Sequence, residues 1–186
     1  MTRTATRTLV LAAALAAAGV LAPRAAAAEL YHFTASAFVG FGGSVDAEPG
    51  DGFDNPGFQL GFSYVTEPRT RISVRAGEFG LADGGDFERL TDADLTYLTV
   101  SGEYLFAEPW YDSWVFVGLG YYSVGGDARF GGGDEDEGAL GGTIGITGEF
   151  QISRRVDFVV ELAGHYADFE DSQIFGAAHA GVAFHF

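Results

Sequence analysis

The sequence predicts an all-β fold, an eight-stranded antiparallel up-and-down β-barrel, and three observations support it. Eight stretches alternate apolar and polar residues with a period of two, the pattern of strands that have one apolar face. The connections between these stretches are alternately long and short. Finally, 28 glycines are too many for long helices, and 15% aromatic residues are too many for a disordered acidic chain.

The last predicted strand, at residues 174–186, sets the topology. Its apolar face carries Ala178, Ala180, Val182, Phe184 and Phe186, and its small or polar face carries Ala177, His179, Gly181, Ala183 and His185. A final strand with an unpaired edge invites aggregation. We therefore expect it to close the barrel by pairing with the first strand of the mature chain.

The other seven strands show the same alternation. They are predicted at residues 30–43, 58–65, 71–79, 95–106, 114–124, 139–152 and 156–166. One face of each is rich in Phe, Val, Leu, Ile and Tyr, and the other is mostly Gly, Ser, Thr and Ala. Four long connections are predicted, at 44–57, 82–93, 125–138 and 167–173, with short turns between them.

Residues 1–28 have the composition of a secretory signal peptide. Arg3 and Arg7 precede an apolar run at 9–21, which is followed by Pro23 and four alanines at 25–28. The run is too short to cross a bilayer as a helix. We expect two parts, a signal peptide at 1–28 and one outer-membrane β-barrel domain at 29–186, without any cysteine for disulfide or thiol chemistry.

Two features favour a transmembrane barrel over a soluble one. Small residues on the polar face suit the narrow lumen of eight strands, whereas the outer face of a soluble barrel would carry many Lys and Glu. The connections also match the long outer loops and short periplasmic turns of membrane barrels, whose tilted strands cross the bilayer. The alternative is a soluble β-sandwich with the aromatic residues in its core.

Aromatic residues of the apolar face are predicted to form two interfacial girdles. Those near the short-turn end are Tyr31, Phe33, Tyr64, Tyr104, Phe106, Trp114, Phe158, Phe184 and Phe186. Those near the long-loop end are Phe41, Phe58, Tyr121 and Tyr166.

Six charged residues are predicted on the face that lines the lumen, namely Arg71, Arg75, Glu103, Glu149, Asp157 and Glu161. Charges inside a narrow barrel are costly unless they are paired, so we expect ion pairs and hydrogen bonds to plug the lumen. The alternative is a gate in a narrow pore, where breaking one pair would admit water and ions.

His32 and His185 both lie on the polar face near the two ends of the mature chain. If the first and last strands pair, the two imidazoles approach each other, near Asp157. A metal site requires at least a third ligand in fixed geometry. We therefore expect these histidines to fill the lumen as polar groups, and we predict no metal site and no cofactor.

The mature chain is strongly acidic. Without Arg3, Arg7 and Arg24 it retains seven Arg against 26 Asp and Glu, a net charge near −19, and it contains no Lys. Nucleic acid and anionic surfaces are therefore unfavourable partners. The four long loops hold 16 acidic residues, which is typical of a solvated surface, of divalent-cation binding or of contact with a basic extracellular partner. Residues 134–137 lack the spacing of a calcium loop.

With these features the sequence resembles the small eight-stranded outer-membrane β-barrel proteins, the porin-like group that includes the membrane domain of OmpA and the OmpX/Ail proteins. The most specific part is the end, where His179, Gly181, Phe184 and Phe186 match the polar-x-Gly-x-x-aromatic-x-aromatic signal read by the outer-membrane assembly machinery. The resemblance implies insertion from the periplasm with both termini inside. Its expected partners are outer-membrane lipid, lipopolysaccharide and, during insertion, that machinery; we expect a monomer.

We do not expect an enzyme. The lipid A deacylases of this shape carry a His-x-Ser pair on a late strand, whereas His165 is followed by Tyr166 and Ala167. The four long loops contain no His, which argues against a loop-borne acyl transferase. The expected role is structural or surface-interacting, with acidic loops outside. The alternatives are a narrow pore for ions or small solutes and, as a third class, a lipid A-modifying hydrolase.

Overall fold

The computed structural model describes residues 31–45, 55–81, 90–107, 111–128, 134–169 and 172–186. The predicted signal peptide and parts of the four long loops lie outside these residues. The strands are β1 (Phe33–Ser44), β2 (Asn55–Glu67), β3 (Thr70–Gly80), β4 (Leu90–Ala107), β5 (Asp112–Ala128), β6 (Asp134–Gln151), β7 (Val156–Ala167) and β8 (Gln173–His185). No helix in this described part of the chain is long and apolar enough to cross a membrane.

The strands form one closed antiparallel barrel in which each strand pairs with the next, and β8 pairs with β1. We call the β1–β8 pairing the seam. It runs from Thr34 opposite His185 to Ser44 opposite Phe175. Beyond it, the amides of Phe33 and Phe186 donate hydrogen bonds to each other's carbonyl oxygens, at 3.1 and 2.9 Å. The predicted fold and the closure of the last strand on the first are confirmed.

Four strands extend three or more residues into the expected loops, so that three of these loops are shorter. β2 begins at Asn55, inside the predicted loop at 44–57. β4 begins at Leu90, inside the predicted loop at 82–93. β5 and β6 continue into the predicted loop at 125–138 until Asp127 stands opposite Asp134. The reason is that the backbone hydrogen bonds of a hairpin do not require apolar alternation, which had set the predicted boundaries.

The apolar face of the strands points outward. Large side chains in the middle of the wall are open to the surroundings, with Leu119 76% exposed, Leu140 74% and Val117 66%. Gln59, Ser73 and Thr99, by contrast, point inward and are buried. Soluble proteins rarely expose such a continuous apolar surface, so this wall requires an apolar cover.

The predicted girdle residues lie on the outer surface, with one exception. At the short-turn end the Phe33 ring lies 5.1 Å from that of Tyr64 and 6.0 Å from that of Phe186. The assignment of Trp114 to this girdle is wrong, since its side chain is only 5% exposed and points into the barrel. Its neighbour two residues on, Phe116, is also buried, because alternate residues of a strand share a face.

The seam depends on glycines at positions of close backbone approach. A Cβ atom at Gly181 of β8 would overlap the carbonyl oxygen of Ala37 in β1. A Cβ atom at Gly40 of β1 would likewise overlap the carbonyl oxygen of Ala178 in β8. Backbone atoms cannot move aside as side-chain ends can, so a larger residue at either position pushes the two strands apart.

A Gly181→Ala variant is expected to lose roughly 1–3 kcal/mol of folding free energy, the usual range for overpacking a tight site. The measurement is urea-induced unfolding of protein refolded into lipid vesicles without any assembly machinery. Gly102→Ala is the matched control, because nothing lies within 4 Å of a Cβ atom there. Equal stability of the two variants would contradict the role of Gly181 at the seam.

Candidate functional site in the barrel lumen

Two buried arginines on β3 organise the lumen towards the short-turn end. Arg71 is directly opposite Glu103 of β4 in the strand register, and its Nε lies 2.5 Å from Glu103 Oε2. Its Nη1 lies 2.7 Å from Oε1 of Glu149 on β6. Both ion pairs are buried, where the attraction between opposite charges is stronger than in water. Arg71 therefore links β3 to the neighbouring β4 and, across the lumen, to β6.

Arg75, four residues further along the same face of β3, continues the same arrangement. Its Nη2 lies 2.7 Å from Glu103 Oε1 and its Nε 3.0 Å from Oε2 of Glu161 on β7. Its Nη1 donates a hydrogen bond of 2.7 Å to Ser101 Oγ. Glu103 thus bridges both arginines, and we call Arg71, Arg75, Glu103, Glu149 and Glu161 the charge network.

Glu161 also receives neutral donors, which the sequence analysis did not single out. Gln59 Nε2 donates to its Oε1 at 2.8 Å, and Thr147 Oγ1 donates to its Oε2 at 3.2 Å. His179 is buried nearby, with Nδ1 4.0 Å from Glu161 Oε1. Hydrogen bonds of this kind offset part of the desolvation of a buried carboxylate.

Aromatic rings cover the network on the β5 side. The guanidinium carbon of Arg71 lies 4.0 Å from the centre of the Trp114 ring, and that of Arg75 lies 4.2 Å from the centre of the Phe116 ring. These are cation–π distances. Trp114 also donates from Nε1 to Glu149 Oε2 at 3.1 Å. The lumen therefore gives Trp114 an acceptor for its N–H, which lipid would not.

Asp157 faces inward as expected, but its partner is a histidine and not an arginine of the network. His185 Nε2 lies 2.9 Å from Asp157 Oδ2, and His185 Nδ1 lies 2.9 Å from Thr34 Oγ1. This cluster connects β7, β8 and β1 at the short-turn end of the seam. The strand register explains the contact between His185 and Thr34, because it places these two residues directly opposite each other.

The expectation that His32 fills the lumen is wrong, because His32 precedes β1 and is exposed, with its ring 6.4 Å from that of Tyr64. Within the residues that the structure describes, no three His, Asp or Glu side chains are arranged to hold a metal ion. The polar part of the lumen does contain a small chamber with room for about one water molecule. Its wall includes Ser36 and Ser63 on one side and Arg75 and Glu161 on the other.

The half of the lumen nearer the long loops has a different character. Large buried side chains fill it, and we call them the aromatic layer: Phe79, Leu95, Tyr97, Tyr122, Val124 and Phe175. The Tyr97 ring centre lies 6.1 Å from that of Phe79 and 6.3 Å from that of Tyr122, and Phe79 lies 6.4 Å from Phe175. Alternation predicts that Tyr97 and Tyr122 lie on the inner face, but it does not predict that the six side chains meet in one layer.

Comparisons with known proteins give the fold but no closer relative. No family model and no curated protein matches the chain. Among solved structures, Neisserial surface protein A is 17% identical, with 83% of this chain and 96% of that chain covered and a TM-score of 0.63. A major outer membrane protein from Thermus thermophilus is 11% identical over 83% of this chain and 98% of that one, with a TM-score of 0.59.

A third similar structure is that of the attachment invasion locus protein Ail of Yersinia pestis, in complex with the heparin analogue sucrose octasulfate. It is 19% identical, with 83% of this chain and 99% of that chain covered, and the TM-score is 0.52. At this level of identity the likeness concerns the fold alone.

Proposed function

We propose that this chain, which has the fold of the small eight-stranded outer-membrane β-barrel proteins, is an outer-membrane protein with a structural or surface-interaction role. In this proposal its acidic loops face the outside, both termini face the periplasm, and side chains close its lumen. The chain is exported by the signal peptide at 1–28 and inserted as a monomer by the assembly machinery, which reads the segment from His179 to Phe186.

One observation carries the membrane part of the proposal, the inverted distribution of polarity in the barrel. The wall is apolar outside, with residues such as Leu119 and Val117 exposed, and ion-paired inside. In water each exposed Å² of apolar surface would cost about 25 cal/mol relative to burial. Outer-membrane lipid and lipopolysaccharide remove that cost. The aromatic rings at the short-turn end suit the boundary between hydrocarbon and headgroups.

The position of the candidate catalytic histidine supports a structural role over a lipid hydrolase. His165, the histidine in the position closest to a deacylase motif, faces inward and is buried, with Nδ1 3.1 Å from the Tyr122 hydroxyl oxygen. Lipid outside the barrel does not reach it. We therefore propose a role without catalytic activity and without a cofactor, in preference to a lipid A hydrolase.

The second candidate function is a narrow pore for ions or small solutes. The polar chamber beside Arg75 and Glu161 favours it, since such a chamber could hold water along a permeation path. The paired state of both arginines favours the closed barrel instead, because an open aqueous path would leave room between the charges.

The acidic loops determine which surface partners fit. Ail was solved with a heparin analogue, a polyanion, whereas this chain carries a formal charge of −16 and its acidic residues are concentrated in the loops. Like charges repel, so we propose divalent cations or a basic extracellular partner for these loops, and no nucleic acid.

Fractionation of cells expressing the full chain tests the proposed location and orientation. We expect the cleaved protein in the outer-membrane fraction, extractable only with detergent, and an external protease should cut it within the long loops. The short turns on the periplasmic side should not be cut, because the external protease does not reach them. Recovery of the folded protein in the water-soluble fraction would exclude the proposal.

A further inference from the structure

The aromatic layer closes the whole cross-section of the lumen, because every strand contributes to it. Large side chains come from β3, β4, β5 and β8. The remaining strands supply small residues at the same level, Gly42 on β1, Gly57 on β2, Gly141 on β6 and Ala167 on β7.

The rings contact this wall of small residues directly. The Phe79 ring begins 2.6 Å from where a Cβ atom of Gly42 would be, and Phe79 Cβ lies 2.7 Å from the corresponding point at Gly57. The Tyr122 ring lies 2.9 Å from the Cβ position of Gly141. The rings of β3 and β5 thus occupy the space that glycines leave free on the adjacent strands β2 and β6 and on β1.

The hydroxyl groups of the layer are already bonded to the protein. Tyr97 donates to Gln59 Oε1 at 2.8 Å, and Tyr122 donates to the carbonyl oxygen of Gly142 at 3.0 Å. Phe79 and Phe175 offer no polar atom. His165 of β7 also lies at this level, with its ring centre 4.7 Å from that of Tyr97 and its Nδ1 3.1 Å from the Tyr122 hydroxyl oxygen. Its buried Nε2 is the one polar atom of this group without a hydrogen-bond partner among the described residues. A single imidazole nitrogen does not replace the hydration shell of an ion, so an ion at this level would meet the barrier of a hydrophobic constriction.

The charge network lies at a different level. On β3, Arg71 is next to the short-turn end of the strand and Phe79 is next to its long-loop end. The chamber with room for about one water molecule lies beside Arg75 and Glu161, so polar space exists already at the level of the network. The ion pairs position the strands around that space, whereas the rings seal the lumen above it.

We propose that the aromatic layer, and not the charge network, is the barrier that prevents ions from passing through this barrel. The inference rests on the proposed function, since it requires the barrel to span a bilayer with a closed lumen. It separates two tasks within one lumen. The network holds the strands together, and the layer excludes ions.

Current recordings across planar bilayers test this division with the purified mature protein and three variants in potassium chloride. The wild-type protein is expected to be silent. Phe79→Ala combined with Phe175→Ala opens the layer and should raise the conductance of inserted protein at least ~tenfold above that background. Arg75→Gln combined with Glu161→Gln removes both ion pairs of Arg75 and leaves the layer intact, so this variant should stay silent while losing stability.

Phe58→Ala is the matched control, because it is the same truncation on the outer face, where Phe58 is exposed. Folding of every variant is checked by the gel mobility of unheated and heated samples. If the double layer variant does not fold, the single Phe79→Ala and Phe175→Ala variants replace it, with the same expected conductance.

Each outcome bears on one of the two proposals. The assignment of the barrier would be overturned if the variant with Arg75→Gln and Glu161→Gln conducted, or if the folded layer variants were silent. Neither outcome would contradict a closed outer-membrane barrel. Conductance of the wild-type protein would instead overturn the closed lumen itself, and the barrier with it.

Discussion

An Arg75→Ala variant is expected to lose about 3–5 kcal/mol of unfolding free energy, the usual cost of removing one partner of a buried ion pair. The loss is large because Arg75 contacts two buried carboxylates, Glu103 and Glu161. Without the guanidinium group, Glu161 retains Gln59 and Thr147 as donors but no positive partner of full charge. The Phe116 ring also loses its cation–π contact.

Urea-induced unfolding in lipid vesicles measures this loss. Arg69→Ala is the matched control, an exposed arginine in the adjacent turn, whose removal should change stability by no more than about 0.5 kcal/mol. A double-mutant cycle is completed by Glu161→Gln and by the variant that combines Arg75→Ala with Glu161→Gln. The double variant should lose less than the sum of the two single losses, because it does not leave an unpaired charge. Strict additivity would show that the two residues do not interact.

A Val117→Arg variant is expected to lose about 2–4 kcal/mol, the cost of placing arginine on the lipid face near the middle of the bilayer. Val117 is 66% exposed and lies on β5 between two levels of exposed aromatic rings, Tyr121 towards the long loops and Tyr104 towards the short turns. In a water-soluble barrel the same change would replace an exposed apolar side chain with a charged one at little cost. The sign and size of the effect therefore distinguish lipid from water outside the wall.

Ile152→Arg is the matched control for this experiment, since Ile152 is 65% exposed but follows the end of β6. Near the membrane boundary the penalty for arginine falls to about 0–1 kcal/mol. Both variants are unfolded with urea in vesicles, as above. Equal stability of the Val117→Arg and Ile152→Arg proteins would contradict the membrane assignment.

The sequence was sufficient for the strands and their faces. An alternation such as that of Ile72, Ser73, Val74 and Arg75 leaves only two ways to orient β3, and the small, polar side fits only inside a narrow barrel. Closure was predictable from the last strand, whose apolar face alternates as in the other seven and whose edges both need a partner. The inward position of Arg75 and Glu161 was therefore predictable.

The contacts inside the lumen were less predictable, because they depend on strand register and not on alternation. Trp114 was grouped with the outer aromatics by residue type and position along the strand, although its alternation with Val115 places it inside. Of the two histidines expected near Asp157, His185 meets it, whereas His32 precedes β1 and is exposed. The aromatic layer likewise requires Phe79 and Phe175 at one height, which two separate stretches of sequence do not reveal.

The seam has a kinetic consequence. Its side-chain hydrogen bond between Thr34 and His185 joins residues 151 positions apart, so closure must await synthesis and delivery of nearly the whole mature chain. Contacts of such long range slow folding. A polypeptide interrupted before β8 would present β1 and β7 as open edges, ready to pair with other chains, and we expect such fragments to accumulate as aggregates and not as partly folded barrels.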